Sequence, residues 1–275
     1  MRKFLAILLF VLMPAVASAA ERLVLNGPMI QGALLMGRTL PGTDLQLSGK
    51  AVSVSPDGVF TIGFDRDAPK RWELMAVYPD GMRETRQIDI APRAYNIQKI
   101  DGLPDTMVTP PKDVIDRIKA ENAEVAAARS GNRPETWFAN GFVWPALGPI
   151  SGVYGSQRIL NGKPRRPHYG VDVAAPEGTL ITAPAEGVVT LAHPDMYYTG
   201  GTVILDHGHG VSSAFLHMKN LKVKVGDHLK QGDPIAELSS TGRATGPHLD
   251  WRINWFNVRI DPVLVAGEMP KPPTQ

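Results

Sequence analysis

The sequence predicts a mostly β protein, with a small N-terminal β-sandwich, one connecting helix and a C-terminal antiparallel, barrel-like β domain. The 275 residues include 27 glycines and 24 prolines, a high content for a helical protein. Apolar and polar residues alternate over short runs, and glycine-containing turns separate these runs. Helical spacing occurs near the middle of the chain. A chain of this length fits two modest domains.

The N-terminus has the three-part order of a secretory signal peptide. Arg2 and Lys3 precede an apolar run from Phe4 to Met13, and small residues occupy 15–20. This run is too short to span a bilayer, which favours a cleaved signal over a membrane anchor. We therefore expect an exported protein, periplasmic or otherwise extracytoplasmic, with no stable membrane insertion after cleavage.

Charge and cysteine content narrow the possible partners. The full chain has 29 basic and 27 acidic residues, and loss of Arg2 and Lys3 with the signal makes the two signs equal. A neutral protein has no overall field that attracts polyanions, so we expect no nucleic-acid partner. The absence of cysteine excludes disulfides, thiolate ligands and a lipid-anchored N-terminal cysteine. We expect a soluble monomer.

The first half of the sequence predicts a β module that has no candidate catalytic site. Period-two spacing surrounds two turns, at 57–58 and 79–81. The alternating apolar positions are Val52, Val54, Phe60, Ile62, Ile88 and Ile90. No His, Asp or Glu cluster suggests a reaction here, so a positional role is expected.

A helix is predicted next, with Thr109 as its cap, Pro110 in the first turn and Gly131 at its end. Its narrow apolar stripe, which includes Ile118 and Val125, favours a strut between domains, and a partner-binding helix is the alternative. Short β-type runs follow at 180–182, 187–191, 202–206, 211–217, 221–225, 234–238 and 248–254.

These patterns divide the chain into a signal peptide at 1–19, an N-terminal β-sandwich module at 20–104, a helical linker at 105–138, a C-terminal β domain at 139–268 and a flexible tail at 269–275.

Two strand-like segments of the C-terminal domain carry candidate ligands. In an extended chain His168 and Asp172 share a face, and Gly170 between them leaves room for an ion. His248 and Asp250 likewise share a face of the last long run. His217, at the end of another run, is a third candidate.

Each candidate also has an ordinary structural interpretation. A single histidine near a strand end is more often a satisfied structural residue than a ligand. Asp172 could cap a turn, and Asp250 could form a same-face ion pair with Arg252. The joint arrangement is what favours a site.

The sequence from about 139 to 265 resembles the catalytic domain of lysostaphin-type zinc endopeptidases, or LytM domains, which cleave peptidoglycan. The preceding β module also resembles the N-terminal module of some exported members. The stretches that carry the resemblance are Gly-Val-Tyr-Gly at 152–155, His-Tyr-Gly-Val-Asp-Val-Ala-Ala-Pro at 168–176, Leu-His at 216–217 and Ser-Thr-Gly-Arg-Ala-Thr-Gly-Pro-His at 240–248.

The resemblance implies an enzyme with one zinc ion per chain that acts on peptidoglycan peptides. It makes His168 and Asp172 zinc ligands, and His217 and His248 the catalytic histidines. The family's third ligand is a second histidine, and its position here holds Asp250. An aspartate oxygen is an acceptable zinc ligand, so we expect Asp250 to be the third. Alternatively, His248 is the ligand and Asp250 its hydrogen-bond partner.

Two further interpretations are weighed against this one, and one basic segment has two possible roles. A degenerate domain could bind wall or activate another hydrolase without catalysis, because Asp250 departs from the pattern. A lipoyl-type carrier would need a lysine at a hairpin turn, which Lys219 matches poorly. Finally, the basic segment around Lys163 and Arg166 is either a solvated loop or a rim for wall-peptide carboxylates.

Overall fold

The computed structural model describes residues 21–100, 114–160 and 162–270. The predicted signal peptide, the predicted helix cap Thr109 with Pro110, and residues 271–275 of the predicted tail lie outside these ranges.

The N-terminal module is built from short strands. They are β1 (Leu23–Asn26), β2 (Leu34–Thr39), β3 (Asp44–Leu47), β4 (Lys50–Val52), β5 (Val59–Gly63), β6 (Arg71–Val77), β7 (Arg83–Asp89) and β8 (Ile97–Ile100). The first seven form two sheets, in the orders β1-β2-β5 and β4-β3-β6-β7. Phe60 and Ile62 from one sheet and Leu74 from the other are fully buried in one shared core. The predicted alternation therefore produces a two-layer β module.

The second half is also mostly β. Its elements are α1 (Ile115–Ala128), a 3₁₀ turn (Trp137–Asn140), β9 (Ile150–Gly152), β10 (Gln157–Leu160), β11 (Lys163–Pro164), β12 (Val171–Ala174), β13 (Leu180–Thr182), β14 (Gly187–Met196), β15 (Gly200–Asp206), β16 (Val211–Lys219), β17 (His228–Leu229), β18 (Pro234–Leu238), β19 (His248–Trp255), β20 (Val258–Ile260) and α2 (Pro262–Ala266).

One large antiparallel sheet organises the C-terminal domain. Its main path is β17-β14-β15-β16-β19-β12-β9, with β13, β18 and β20 paired off that path. The mostly β fold class is thus confirmed, while the pairing within the described ranges does not close into a barrel. Leu249, Trp251 and Ile253 of β19 are fully buried on one face, so the predicted alternation holds. The other face of β19 presents the polar residues.

Helix α1 lies against that second face of the sheet. Val125 and Ala128 pack on a small apolar cluster that includes Ala214 and Leu216 of β16. The helix ends at Ala128, three residues before the glycine predicted to end it. Its first described residues have no side-chain cap, because Val114 occupies the cap position.

The two modules contact each other at several places. Strand β8 pairs in parallel with β10, across the predicted boundary at 104. Leu34 and Val59 of the N-terminal module belong to the core cluster of the C-terminal domain. The domain limits drawn from the sequence stay predictions. In the described part of the chain, no helix has the length and apolarity needed to cross a membrane.

Asp261 joins the modules at one buried point. Its Oδ1 accepts the Val263 backbone N–H at 3.0 Å and caps α2, while its Oδ2 lies 2.8 Å from Arg93 Nη1. An Asp261→Ala variant should therefore lose about 2 kcal/mol of unfolding free energy, the upper range for an N-cap, because Arg93 also loses its carboxylate. Urea denaturation measures this loss.

The matched control is Asp261→Asn, which keeps an oxygen for the cap and removes the charge. It should lose less than the alanine variant. An alanine variant within about 0.5 kcal/mol of the parent would mean that this contact does not couple the modules.

Candidate metal centre

Two carboxylates face each other across neighbouring strands. Asp172 of β12 and Asp250 of β19 are directly opposed in the antiparallel register. Like charges at opposed positions repel each other at close range. Asp250 is 3% exposed, so water screens this repulsion poorly at its side. The strand register therefore creates a negatively charged site that favours a bound cation.

His168 supplies a nitrogen to the same place. It lies before β12 rather than inside a strand, and its backbone N–H donates to Ser156 O at 2.8 Å. Its Nε2 is 3.1 Å from Asp172 Oδ1 and 3.5 Å from Asp250 Oδ1. Its Nδ1 is 3.3 Å from Val153 O, which favours the tautomer with a proton on Nδ1 and leaves Nε2 free.

The carboxylates of Asp172 and Asp250 make the electrostatic environment of His168 strongly negative. Burial by itself lowers the pKa of the His168 imidazole, but Asp172 and Asp250 override it and raise that pKa to about 10. A positive charge at this point is therefore strongly stabilised.

Arg252 forms an ion pair with the second of these carboxylates, that of Asp250. Its Nη2 lies 2.5 Å from Asp250 Oδ2 and its Nε 2.9 Å from Asp250 Oδ1. Burial alone would raise the pKa of Asp250, but the Arg252 guanidinium and His168 keep it well below its usual range. The predicted same-face ion pair is present, and Asp250 Oδ1 still belongs to the group around His168.

Two glycines make room for the carboxylates. A Cβ at Gly152 would come within 2.1 Å of Asp172 Oδ2, and a Cβ at Gly170 within 2.5 Å of Asp250 Oδ1. Any side chain at either position would displace a carboxylate oxygen. The space that the sequence suggested at Gly170 is taken up by Asp250 and its neighbours.

His217 and His248 stand next to this group. Their ring centroids are 4.8 Å apart, and His248 Nε2 is 3.9 Å from Asp172 Oδ1. Each Nδ1 lies 2.8 Å from a backbone carbonyl, that of Thr241 for His217 and that of Gly246 for His248. Both rings are thus fixed with Nε2 available for proton transfer. Burial lowers the pKa of His217, which favours its neutral form.

The donor set fits a zinc ion. The described residues contain one group of three donors close enough for a shared metal, namely His168, Asp172 and Asp250, whose ligand atoms lie within 4.8 Å of one another. His168 Nε2 and Asp172 Oδ1 are buried without a hydrogen-bond partner. One imidazole and two carboxylates are common zinc ligands. His248 is outside this three-residue group, which favours Asp250 over it as the third donor.

The remaining candidates are placed elsewhere. Lys219 is at the end of β16 and pairs with Glu177 at 2.6 Å, so it is not the hairpin-tip lysine of a carrier domain. Lys163 is exposed in β11. Sequence reasoning did not find the backbone carbonyls that orient the three histidines, because every residue type carries a carbonyl and only the fold brings them near.

Comparison with known sequences identifies a domain within the C-terminal half of the chain. The profile described as Peptidase family M23 matches residues 166–262, the segment that contains all five predicted site residues. These residues form an M23 peptidase domain. The resemblance read from the sequence is therefore confirmed.

Relatives of the M23 domain include enzymes with a stated substrate. The domain is similar to the DD-carboxypeptidase/endopeptidase Mpg of Neisseria meningitidis serogroup B, 36% identical over 106 residues, which are 38% of this chain and 24% of that protein. It is also similar to the peptidoglycan DD-endopeptidase ShyA of Vibrio cholerae serotype O1, 37% identical over 89 residues, 32% of this chain and 20% of that protein. The chain thus spans about a quarter or less of these relatives.

A solved structure matches the whole architecture. A crystal structure from Pseudomonas aeruginosa, described as a peptidase M23, has 27% identity and a TM-score of 0.66, and the match covers 87% of this chain and 95% of that one. Because the match covers nearly all of both chains, the N-terminal β module accompanies the M23 domain in that protein too.

Proposed function

We propose that this protein is an exported zinc endopeptidase that hydrolyses peptide bonds in the stem or cross-link peptides of peptidoglycan. The observation that carries the proposal is the cluster of Asp172, Asp250 and His168, with His217 and His248 beside it. The Vibrio cholerae relative named as a peptidoglycan DD-endopeptidase supports the substrate class. Export to the periplasm rests on the signal-peptide pattern of the first residues and on the location of the wall.

Zinc, held by His168, Asp172 and Asp250, would supply Lewis-acid activation of the scissile carbonyl and of the attacking water. His217 takes up a proton at Nε2, because its Nδ1 is engaged with the Thr241 carbonyl and its neutral form is favoured. His248 is fixed in the same way by the Gly246 carbonyl; with a proton on Nε2 it polarises the scissile carbonyl, and it then gives that proton to the leaving amine.

Arg252 bears on whether the site is active. Two carboxylate ligands alone would cancel the charge of a divalent ion and weaken its Lewis acidity. The Arg252 guanidinium pairs with one of these carboxylates and returns one positive charge to the site. This compensation favours an active enzyme over a degenerate domain that only binds wall.

The test is digestion of purified peptidoglycan by the mature protein, followed by mass analysis of the released fragments. We expect fragments whose new termini mark a broken peptide bond. A strong chelator should abolish their release, and added zinc should restore it. Binding of the protein to peptidoglycan without any soluble fragment, at every zinc concentration tried, would instead identify the non-catalytic alternative.

A further inference from the structure

Three arginines line the sheet face beside the metal centre. Arg252 is two residues from Asp250 on the same face of β19, a spacing of about 7 Å. The next position on this face, Asn254, is directly opposed by Arg259 of β20. Arg259 Nη1 donates to Asn254 Oδ1 at 3.2 Å. A row of polar groups therefore leads away from the metal ligands along the sheet.

Arg129 joins this row from the helix side. It directly follows α1, whose residue Ala128 packs on the cluster that contains Ala214. Ala214 is the strand partner of Arg252 in the β16–β19 register. Burial, together with the positive charges of Arg259 and Arg252, lowers the pKa of Arg129 to about 9. The three guanidiniums are therefore within electrostatic reach of one another.

The three arginines of this row carry more positive charge than the carboxylate paired with them neutralises. Arg252 is paired with Asp250, whereas Arg259 has the Asn254 amide and the Tyr169 ring, 5.6 Å from its guanidinium carbon. The Nε of Arg129 is buried and has no hydrogen-bond partner. Burying guanidinium donors near other guanidiniums is costly unless an anion satisfies them.

The row also has space next to it. Arg259, Tyr169 and Arg166 line a cavity of about 290 Å³, and Tyr169 directly follows His168 in the chain. The same cavity is lined by Asp65 and by the ion pair between Arg66 and Asp67, 2.7 Å long. Of the three arginines of the row, Arg259 lines this cavity, so a carboxylate bound there would contact its guanidinium.

We propose that Arg129, Arg252 and Arg259 form a carboxylate subsite, which selects wall peptides with a free carboxyl group close to the scissile bond. The proposal rests on the proposed function, because it names the charge that the same site requires of its substrate. Guanidinium groups bind carboxylates through paired, charge-assisted hydrogen bonds, which a carboxamide cannot replace fully.

The experiment compares two forms of one cross-linked stem peptide, with the carboxyl groups near the scissile bond free or converted to amides. We expect kcat/KM to be at least about tenfold higher for the free acid, from the loss of a charged hydrogen bond in the amide. Arg129→Gln and Arg259→Gln should each reduce this preference several-fold.

Arg133→Gln is the matched control. Arg133 lies in the same segment after α1, but its Nε is 3.3 Å from the carboxylate of Asp206 in β15. This variant should keep the parent's preference for the free acid. Equal cleavage of the free acid and the amide by the parent would contradict the proposed subsite. An undiminished preference for the free acid in both Arg129→Gln and Arg259→Gln would contradict it too.

A binding measurement separates this proposal from the proposed function. Calorimetry with the two forms of the peptide on the His217→Ala protein reports binding without turnover. Tighter binding of the free acid, lost in the Arg259→Gln background, supports the subsite even where no cleavage occurs. Cleavage without any difference in binding or rate between the forms leaves the proposed function intact and removes the subsite.

Discussion

A His217→Ala variant is expected to lose about 10²–10⁴-fold in kcat for wall-peptide cleavage, because proton transfer by a positioned side chain contributes that much. The same variant should bind as much zinc as the parent, since His217 lies outside the three-residue donor group. Single-turnover cleavage of a defined peptide and metal analysis of the same preparation measure both quantities. His248→Ala should give the same combination of lost cleavage and retained metal.

The matched control is His228→Ala. His228 is half exposed and its Nε2 lies 2.9 Å from Glu186 Oε1, in a different part of the sheet. Its loss should leave both cleavage and zinc content unchanged. Parent-like cleavage by the His217 variant would remove that residue from the mechanism, and loss of zinc from the His248 variant would make His248 a ligand.

Local spacing was enough to predict the faces of β19. Because side chains alternate along a strand, the apolar positions Leu249 and Trp251 had to point opposite to Asp250 and Arg252. The structure places the first pair in the core and the second pair on the polar face. The same rule predicted the strands of the N-terminal module, since its apolar residues also alternate around tight turns.

Features that depend on distant parts of the chain could not be predicted in this way. The opposition of Asp172 and Asp250 requires the register of two strands that are far apart in sequence. His168 was expected inside a strand, but its backbone pairs with Ser156 just before β12 begins. The parallel pairing of β8 with β10 likewise joins segments on both sides of a predicted boundary. Long-range register leaves no local pattern in the sequence.

Replacing Asp250 with alanine is expected to weaken zinc binding by more than about 100-fold, beyond the usual effect of losing an outer partner of a metal site. The substitution removes an oxygen donor and also leaves the Arg252 guanidinium unpaired beside the metal. Competition with a chelator of known affinity measures the change. Parent-like affinity would exclude Asp250 as the third ligand and favour His248.

The histidine found in the family at this position provides the sharper experiment, because Arg252 changes its outcome. Asp250→His replaces a charged donor with a neutral one, while the guanidinium, which now lies 2.5 Å from Asp250 Oδ2, keeps its charge. The site then carries one more positive charge than the parent, and the single variant should bind zinc more weakly. Adding Arg252→Gln removes that excess charge, so the double variant should recover zinc binding and cleavage.

The coupling energy between the two substitutions, from a double-mutant cycle of zinc affinities, measures the compensation. Additive effects would mean that Arg252 does not balance the charge of the metal ligands, and its pairing with Asp250 would then serve only to hold the strand.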